Sequence, residues 1–210
     1  MKISKILVTL SLILIISLAY SQENEGTNKT EFTRKHFISS SLFILYNAVP
    51  DQTNPPDFFQ LNFGCWLTEK DVVTIEAITW KYHEPLGIPY GPSFEDPDEE
   101  YPGYIREFGI GFGYQRFLWK DLYVSQHAIP LMRIYMDEDD NKIQNGFQLF
   151  CTSRVGYHVK LFGDNWFVEP SMAATFWPIK TNVPKAFEEL DDKWNSYFLF
   201  EPGLHFGYKF

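Results

Sequence analysis

Ser125 and His127 sit two positions apart, on one face of a predicted strand, and His158, Glu169 and Ser171 come within reach of one another if two neighbouring strands pair. Such a set suits hydrolysis, with Ser171 as nucleophile, His158 as base and Glu169 as the acid that orients it. The same residues also suit a plainer role as mutually neutralising charges in a closed interior. A second candidate chemistry lies in clustered carboxylates. The stretch from His83 to Gly103 carries Glu84, Glu95, Asp96, Asp98, Glu99 and Glu100 without a Lys or Arg, and Asp137, Glu138, Asp139 and Asp140 follow later. Oxygen clusters suit Ca²⁺ or Mg²⁺, yet no EF-hand-like spacing is present. A solvated acidic surface is the expectation, with no metal, no cofactor and no nucleotide motif.

Charge narrows the classes further. The formal charge is −9, and removing Lys2 and Lys5 leaves −11 for the remaining chain. No basic stripe is available to neutralise phosphates, which excludes nucleic acid as a partner. The two cysteines, Cys65 and Cys151, fall on the apolar faces of different predicted strands and read as small hydrophobes with no disulfide between them.

The elements that must position these side chains are strands. An aromatic content of 18% with frequent Gly favours an all-β chain, and eight strands with dyad alternation are predicted. They run approximately over Phe37 to Val49, Phe58 to Thr68, Val72 to Tyr82, Tyr104 to Leu118, Leu122 to Met136, Gly146 to Leu161, Trp166 to Trp177 and Tyr197 to Phe210. Phe108, Ile110, Phe112 and Tyr114 take one face of the fourth, and Gly109, Gly111, Gly113 and Gln115 the other. Phe176 goes with the apolar face of the seventh, and Glu76 alone orients the weakly patterned third. The glycines are expected to make room for a large neighbour such as Trp66. Tight turns at Glu69-Lys70, Lys120-Asp121 and Gly163-Asp164 alternate with longer connections. A symmetric turn at Lys120 sets Glu107 opposite Arg133 and Gly113 opposite His127, and the turn at Gly163 sets His158 opposite Glu169. The two Glu-Pro pairs, Glu169-Pro170 and Glu201-Pro202, predict bulges or irregular rungs, since proline donates nothing to a ladder. In the last connection Phe187, Leu190 and Trp194 keep helical spacing behind Pro184, which predicts a short helix on the rim.

Both ends of the chain bear on where it resides. Lys2 and Lys5, the apolar run Ile6 to Leu18 and Ala19-Tyr20-Ser21 have the form of a signal peptide over residues 1–21, followed by a polar lead-in over 22–36. At the other end Leu204, Phe206, Tyr208 and the terminal Phe210 alternate with Gly203, His205, Gly207 and Lys209. That ending resembles the C-terminal strand of bacterial outer-membrane β-barrels. Over residues 37–210 the chain resembles the small barrels of the OmpA-transmembrane, OmpX and OmpW kind.

The resemblance implies an eight-stranded antiparallel transmembrane β-barrel with short periplasmic turns and longer external loops. It also implies the bacterial outer membrane as location, its lipids and lipopolysaccharide as surroundings, and the barrel-assembly machinery as a partner that reads Phe206, Tyr208 and Phe210. Trp80, Tyr82, Trp119, Trp166 and Trp177 are then expected in aromatic girdles at the strand ends. So small a barrel is filled by side chains, so Glu76, Glu107, His127, Arg133, Arg154, His158, Glu169, Glu201 and His205 are expected to form a structural polar network in the lumen. The leading expectation is a non-enzymatic protein with a structural or surface-interaction role through its external loops. A narrow channel for small or hydrophobic solutes is the alternative. Lipid-modifying hydrolysis comes third: small outer-membrane lipid A deacylases use a His, a Ser and a Glu, but here Ser precedes His and both face inward.

Overall fold

The computed structural model describes residues 36–50, 54–89, 99–163 and 165–210. The expected signal peptide and most of the lead-in lie outside the described residues. Nine strands form one antiparallel sheet: β1 His36–Ser41, β2 Phe59–Trp66, β3 Asp71–Tyr82, β4 Tyr104–Trp119, β5 Leu122–Met136, β6 Lys142–Tyr157, β7 Val159–Leu161, β8 Trp166–Thr181 and β9 Tyr197–Lys209. Each strand pairs with the next, β6 and its short continuation β7 both pair with β8, and β9 pairs back onto β1. The sheet therefore closes on itself in eight staves. Closure gives every stave two neighbours, which is how an all-β chain protects its backbone, although the β1 ladders are short and the Tyr197–Leu204 part of β9 has no β1 partner.

The split between β6 and β7 has a local cause. Gly156 pairs with Ser171 and Val159 with Val168, which leaves Pro170 and Glu169 facing Tyr157 and His158. Pro170 has no N–H to give, and His158 N–H donates instead to Asp121 O at 2.8 Å. The expected sixth strand thus starts earlier than Gly146, at Lys142, and breaks at His158.

The first expected strand, Phe37 to Val49, is shorter than its pattern. It begins at His36, placed by its sequence in the lead-in but hydrogen-bonded here to Phe210 in both directions, and it ends at Ser41. A 3-10 helix, Leu42–Ala48, takes over. Ser41 Oγ accepts from Phe43 N–H at 3.2 Å, drawing that amide out of the ladder. Asn47 then fixes the far end, donating from Nδ2 to Phe58 O at 2.7 Å and accepting Phe58 N–H at 2.8 Å.

The third strand holds Val72, Thr74, Glu76, Ile78, Trp80 and Tyr82 on the inner face, all buried. That parity corrects the girdle expectation for Trp80, Tyr82 and Trp177, which are interior side chains, whereas Trp119 and Trp166 face out. The same alternation, counted back from Phe210 past Pro202, puts Phe200 and Phe198 on the apolar outer face, and for Phe198 it is corrected. Phe200 forms a bulge with φ 62, next to Glu201-Pro202, and beyond it Phe198 lies opposite the buried Thr175. One extra residue inverts every side chain past it. Phe176, expected on the outer face, is only 2% exposed, with register shifts at Leu149/Cys151 and Ala173/Ala174 interrupting the period on either side. The glycine stripe serves other neighbours than Trp66. A Cβ on Gly109 or Gly111 would strike the β5 backbone at Pro130 or Ala128 and the Leu131 or Ile129 side chain, and one on Gly113 would strike Thr74 Oγ1 on β3 and the His127 ring.

The interior has two apolar layers. The upper one gathers Phe58, Ile78, Trp80, Tyr82, Tyr101, Ile105, Ile129, Leu131, Tyr135 and Phe187; the lower one gathers Phe37, Val72, Phe117, Tyr123 and Phe167, with Trp66 against it. Between them lies a polar layer.

Candidate functional site

The register puts Glu107 opposite Arg133 and Gly113 opposite His127, as the short turn at Lys120 requires. Lys120 itself takes φ 52, the left-handed conformation that closes so tight a link. In the upper layer Arg133 Nε lies 2.8 Å from Glu107 Oε1, and Tyr82 OH donates to the same oxygen at 2.8 Å. Arg133 Nη2 donates to Tyr82 OH at 2.6 Å. Glu107 and Arg133 are 0% and 2% exposed, so these two charges neutralise one another away from water.

In the middle layer Glu76 accepts from Gln60 Nε2 at 2.6 Å and meets His127 Nδ1 at 3.0 Å. Arg154 Nη1 donates to Ser171 Oγ at 2.9 Å, Ser171 donates to Gly203 O at 3.2 Å, and Thr175 hydrogen-bonds Glu201. His205 lies opposite Glu169 across β8 and β9. In the lower layer His158 Nδ1 meets Glu169 Oε1 at 2.7 Å, with the His158 ring against Phe167 and Phe117. Opposite charges facing across a ladder, as Glu107 and Arg133 do, contribute about 0.2–1 kcal/mol, and the pair prevents the larger cost of a lone buried charge.

A hydrolytic triad is assembled only in part. His158 and Glu169 meet, but Ser171 is held by Arg154 and Gly203, and Ser125 Oγ, 2% exposed, has no hydrogen-bond partner among the described residues. A nucleophile needs its base within hydrogen-bond reach. The geometry instead describes paired charges threaded through a packed interior.

The mouth is covered by the short helix to which the spacing of Phe187, Leu190 and Trp194 behind Pro184 points. The last connection forms α1, Lys185–Asp191, and Phe187 on it is fully buried against Tyr101 and Tyr135. Asp191, one turn on, accepts from Lys180 Nζ at 2.6 Å and from Tyr101 OH. The long acidic connection meets the same lid: Trp194 Nε1 donates to Glu99 at 2.8 Å and Lys193 lies 3.6 Å from it. Helical spacing of Phe187 and Leu190 was the one legible signal for this cap. Glu95, Asp96 and Asp98 lie outside the described residues.

Some acids of the two clusters have structural duties. Asp137 accepts the N–H groups of Asp139 and Asn141 and the side chain of Asn141, and these donors hold its carboxyl below the usual range. Glu84 behaves oppositely. Burial, reinforced by Glu100, pushes its carboxyl up to about 7. Below the ordinary carboxylate range Glu84 is neutral folded or unfolded; between there and pH 7 the folded chain holds the extra proton, so its contribution to stability is lost as pH rises. Glu84→Gln is therefore expected to flatten this dependence. Urea midpoints from pH 5 to 8 should show wild type losing ground to the variant; parallel curves would refute it. Among the described residues no group of three or more His, Cys, Asp or Glu is arranged to hold a metal ion.

The outer face completes the geometry. Ile38, Phe63, Ile75, Phe112, Met132, Val155, Met172 and Leu204, one from every stave, are each 40–67% exposed. Charges stand only above and below this band on β3 and β4. At one end Asp57 bridges Lys81 at 3.7 Å and Arg106 at 2.6 Å. At the other Asp71 takes Arg116 at 2.8 Å and Tyr114 OH at 2.6 Å. No protein family, curated protein or solved structure matches this chain. The class that the fold defines is a closed all-β barrel with a packed polar interior.

Proposed function

We propose that this chain is an integral outer-membrane β-barrel, non-enzymatic, with a sealed lumen and a structural or surface-interaction role through its external loops. The observation that carries the reading is the apolar band bracketed by charges. Asp71 and Lys81 are ten residues apart on β3, about 33 Å along the strand and about 23 Å once tilted by roughly 45°, close to the height of the lipid-facing band of such barrels. A continuous apolar ring of this kind on a soluble monomer would be an aggregation site. Outer-membrane lipids and lipopolysaccharide are its surroundings, and the assembly machinery reads Phe206, Tyr208 and Phe210. The ion pair Glu107–Arg133 and the hydrogen-bonded pairs Glu76–His127 and His158–Glu169 then act as a plug, with Arg154, Glu201 and His205 completing it.

Fractionation and conductance test this together. The expressed full chain should enter the outer-membrane fraction, resist extraction by alkaline carbonate, and migrate faster on gels before boiling than after. Inserted into planar bilayers it should give no reproducible conductance steps. Recovery in the soluble fraction would remove the membrane reading, and steps abolished by boiling would replace the plug with a narrow channel.

A further inference from the structure

The position of Asp191 is that of a bound ligand. Its carboxylate enters the mouth from α1, takes hydrogen bonds from Lys180 Nζ and Tyr101 OH, and lies 3.9 Å from Arg133 Nη1. In the same part of the interior three donors, Arg133 Nη1, Tyr135 OH and Gln148 Nε2, and one acceptor, Glu107 Oε2, have no hydrogen-bond partner among the described residues, and all four residues are at most 2% exposed. Gln148 is the direct cross-strand neighbour of Lys180. Buried donors without acceptors are costly and uncommon, and they mark a place for a group with more acceptor capacity than one side-chain carboxylate on a lid offers. Charge agrees, because the two cations at the mouth, Arg133 and Lys180, both approach the Asp191 carboxylate.

We propose that the barrel mouth is a carboxylate-binding cage, formed by Arg133, Lys180, Tyr101 and Gln148, in which Asp191 is the resident occupant and a small amphipathic carboxylate is the exchanging one. The apolar half of that ligand follows from the lid. Phe187 precedes Asp191 by one helical turn and fills a pocket of Tyr101, Tyr135 and Ile105. A ligand that displaces both carries a ring or short alkyl group about 6 Å from its carboxylate, the rise of four helical residues. The cage requires only the closed ring and its lid, and it stands whether or not the ring spans a membrane.

The test uses the full chain, purified in detergent, with 3-phenylpropionate as probe and 3-phenylpropionamide as the uncharged control, followed by titration calorimetry. A resident occupant lowers apparent affinity by the fraction of open lid, so Asp191→Asn is expected to bind 3-phenylpropionate about tenfold or more tighter than wild type. Adding Lys180→Gln should abolish that gain, and the amide should bind neither form. Equal binding by Asp191→Asn and wild type, or equal binding of acid and amide, overturns the proposal. If Asp191→Asn fails to fold, hydrogen exchange in wild type decides: amides of residues 185–194 should exchange faster with saturating 3-phenylpropionate and not with the amide, and unchanged exchange overturns the cage.

Discussion

On the proposed membrane reading, Phe112→Arg is expected to destabilise the barrel in lipid by about 2–4 kcal/mol, the cost of a cation on a lipid face near a bilayer midplane. Phe112 lies at the centre of β4, 67% exposed, with Ile75 and Ala128 as its cross-strand neighbours. No acid stands beside it. In water the same substitution would remove an exposed ring and add a solvated charge, a change within about 0.5 kcal/mol. The measurement is the urea midpoint of refolded protein in phospholipid vesicles, with Arg106→Lys, at the charged rim, as a control expected to be near neutral. A Phe112→Arg protein as stable as wild type, and more soluble without detergent, would show that the band faces water.

Arg133→Met should be the most damaging interior change, at about 3–5 kcal/mol. It leaves Glu107, fully buried, with Tyr82 OH as its remaining donor and no cation. The double variant Arg133→Met/Glu107→Gln should regain most of the loss, because the cost lies in the orphaned charge rather than in the missing bond. Urea unfolding of wild type and the variants, arranged as a double-mutant cycle, measures both. Additive effects would mean that Arg133 and Glu107 do not act as a pair.

These two residues also show how far pattern alone reaches. Their pairing is legible because Lys120-Asp121 is a two-residue link, and a short link fixes the register of everything above it. The bounds of β5, Leu122–Met136, follow from the same alternation. The segment Leu42–Ala48 was illegible for the opposite reason. Its run of Phe, Ile, Leu and Tyr satisfies a strand as well as a helix, and the choice rests on Asn47 reaching the backbone of Phe58, eleven residues away. At Phe198 the pattern misleads because the bulge at Phe200 reverses the alternation, and a bulge is a backbone event that side-chain type barely encodes. The mouth is harder still. Asp191, Lys180, Tyr101 and Arg133 belong to separate stretches with no spacing in common, and they meet because the ring brings its connections to one end.

By itself, then, the sequence determined the all-β class, the faces of most strands and the register that sets Glu107 opposite Arg133 and Gly113 opposite His127. Alternation is local, and a two-residue period sorts polar from apolar before any strand finds its partner. Closure of the ring was implied by the resemblance and the rim helix by its spacing, whereas only the tertiary structure decided the break at His158, the 3-10 segment and the seating of Phe187 and Asp191 in the mouth. Each of these depends on a backbone or side-chain group meeting a partner far away in the chain, and such meetings are fixed by closure of the ring.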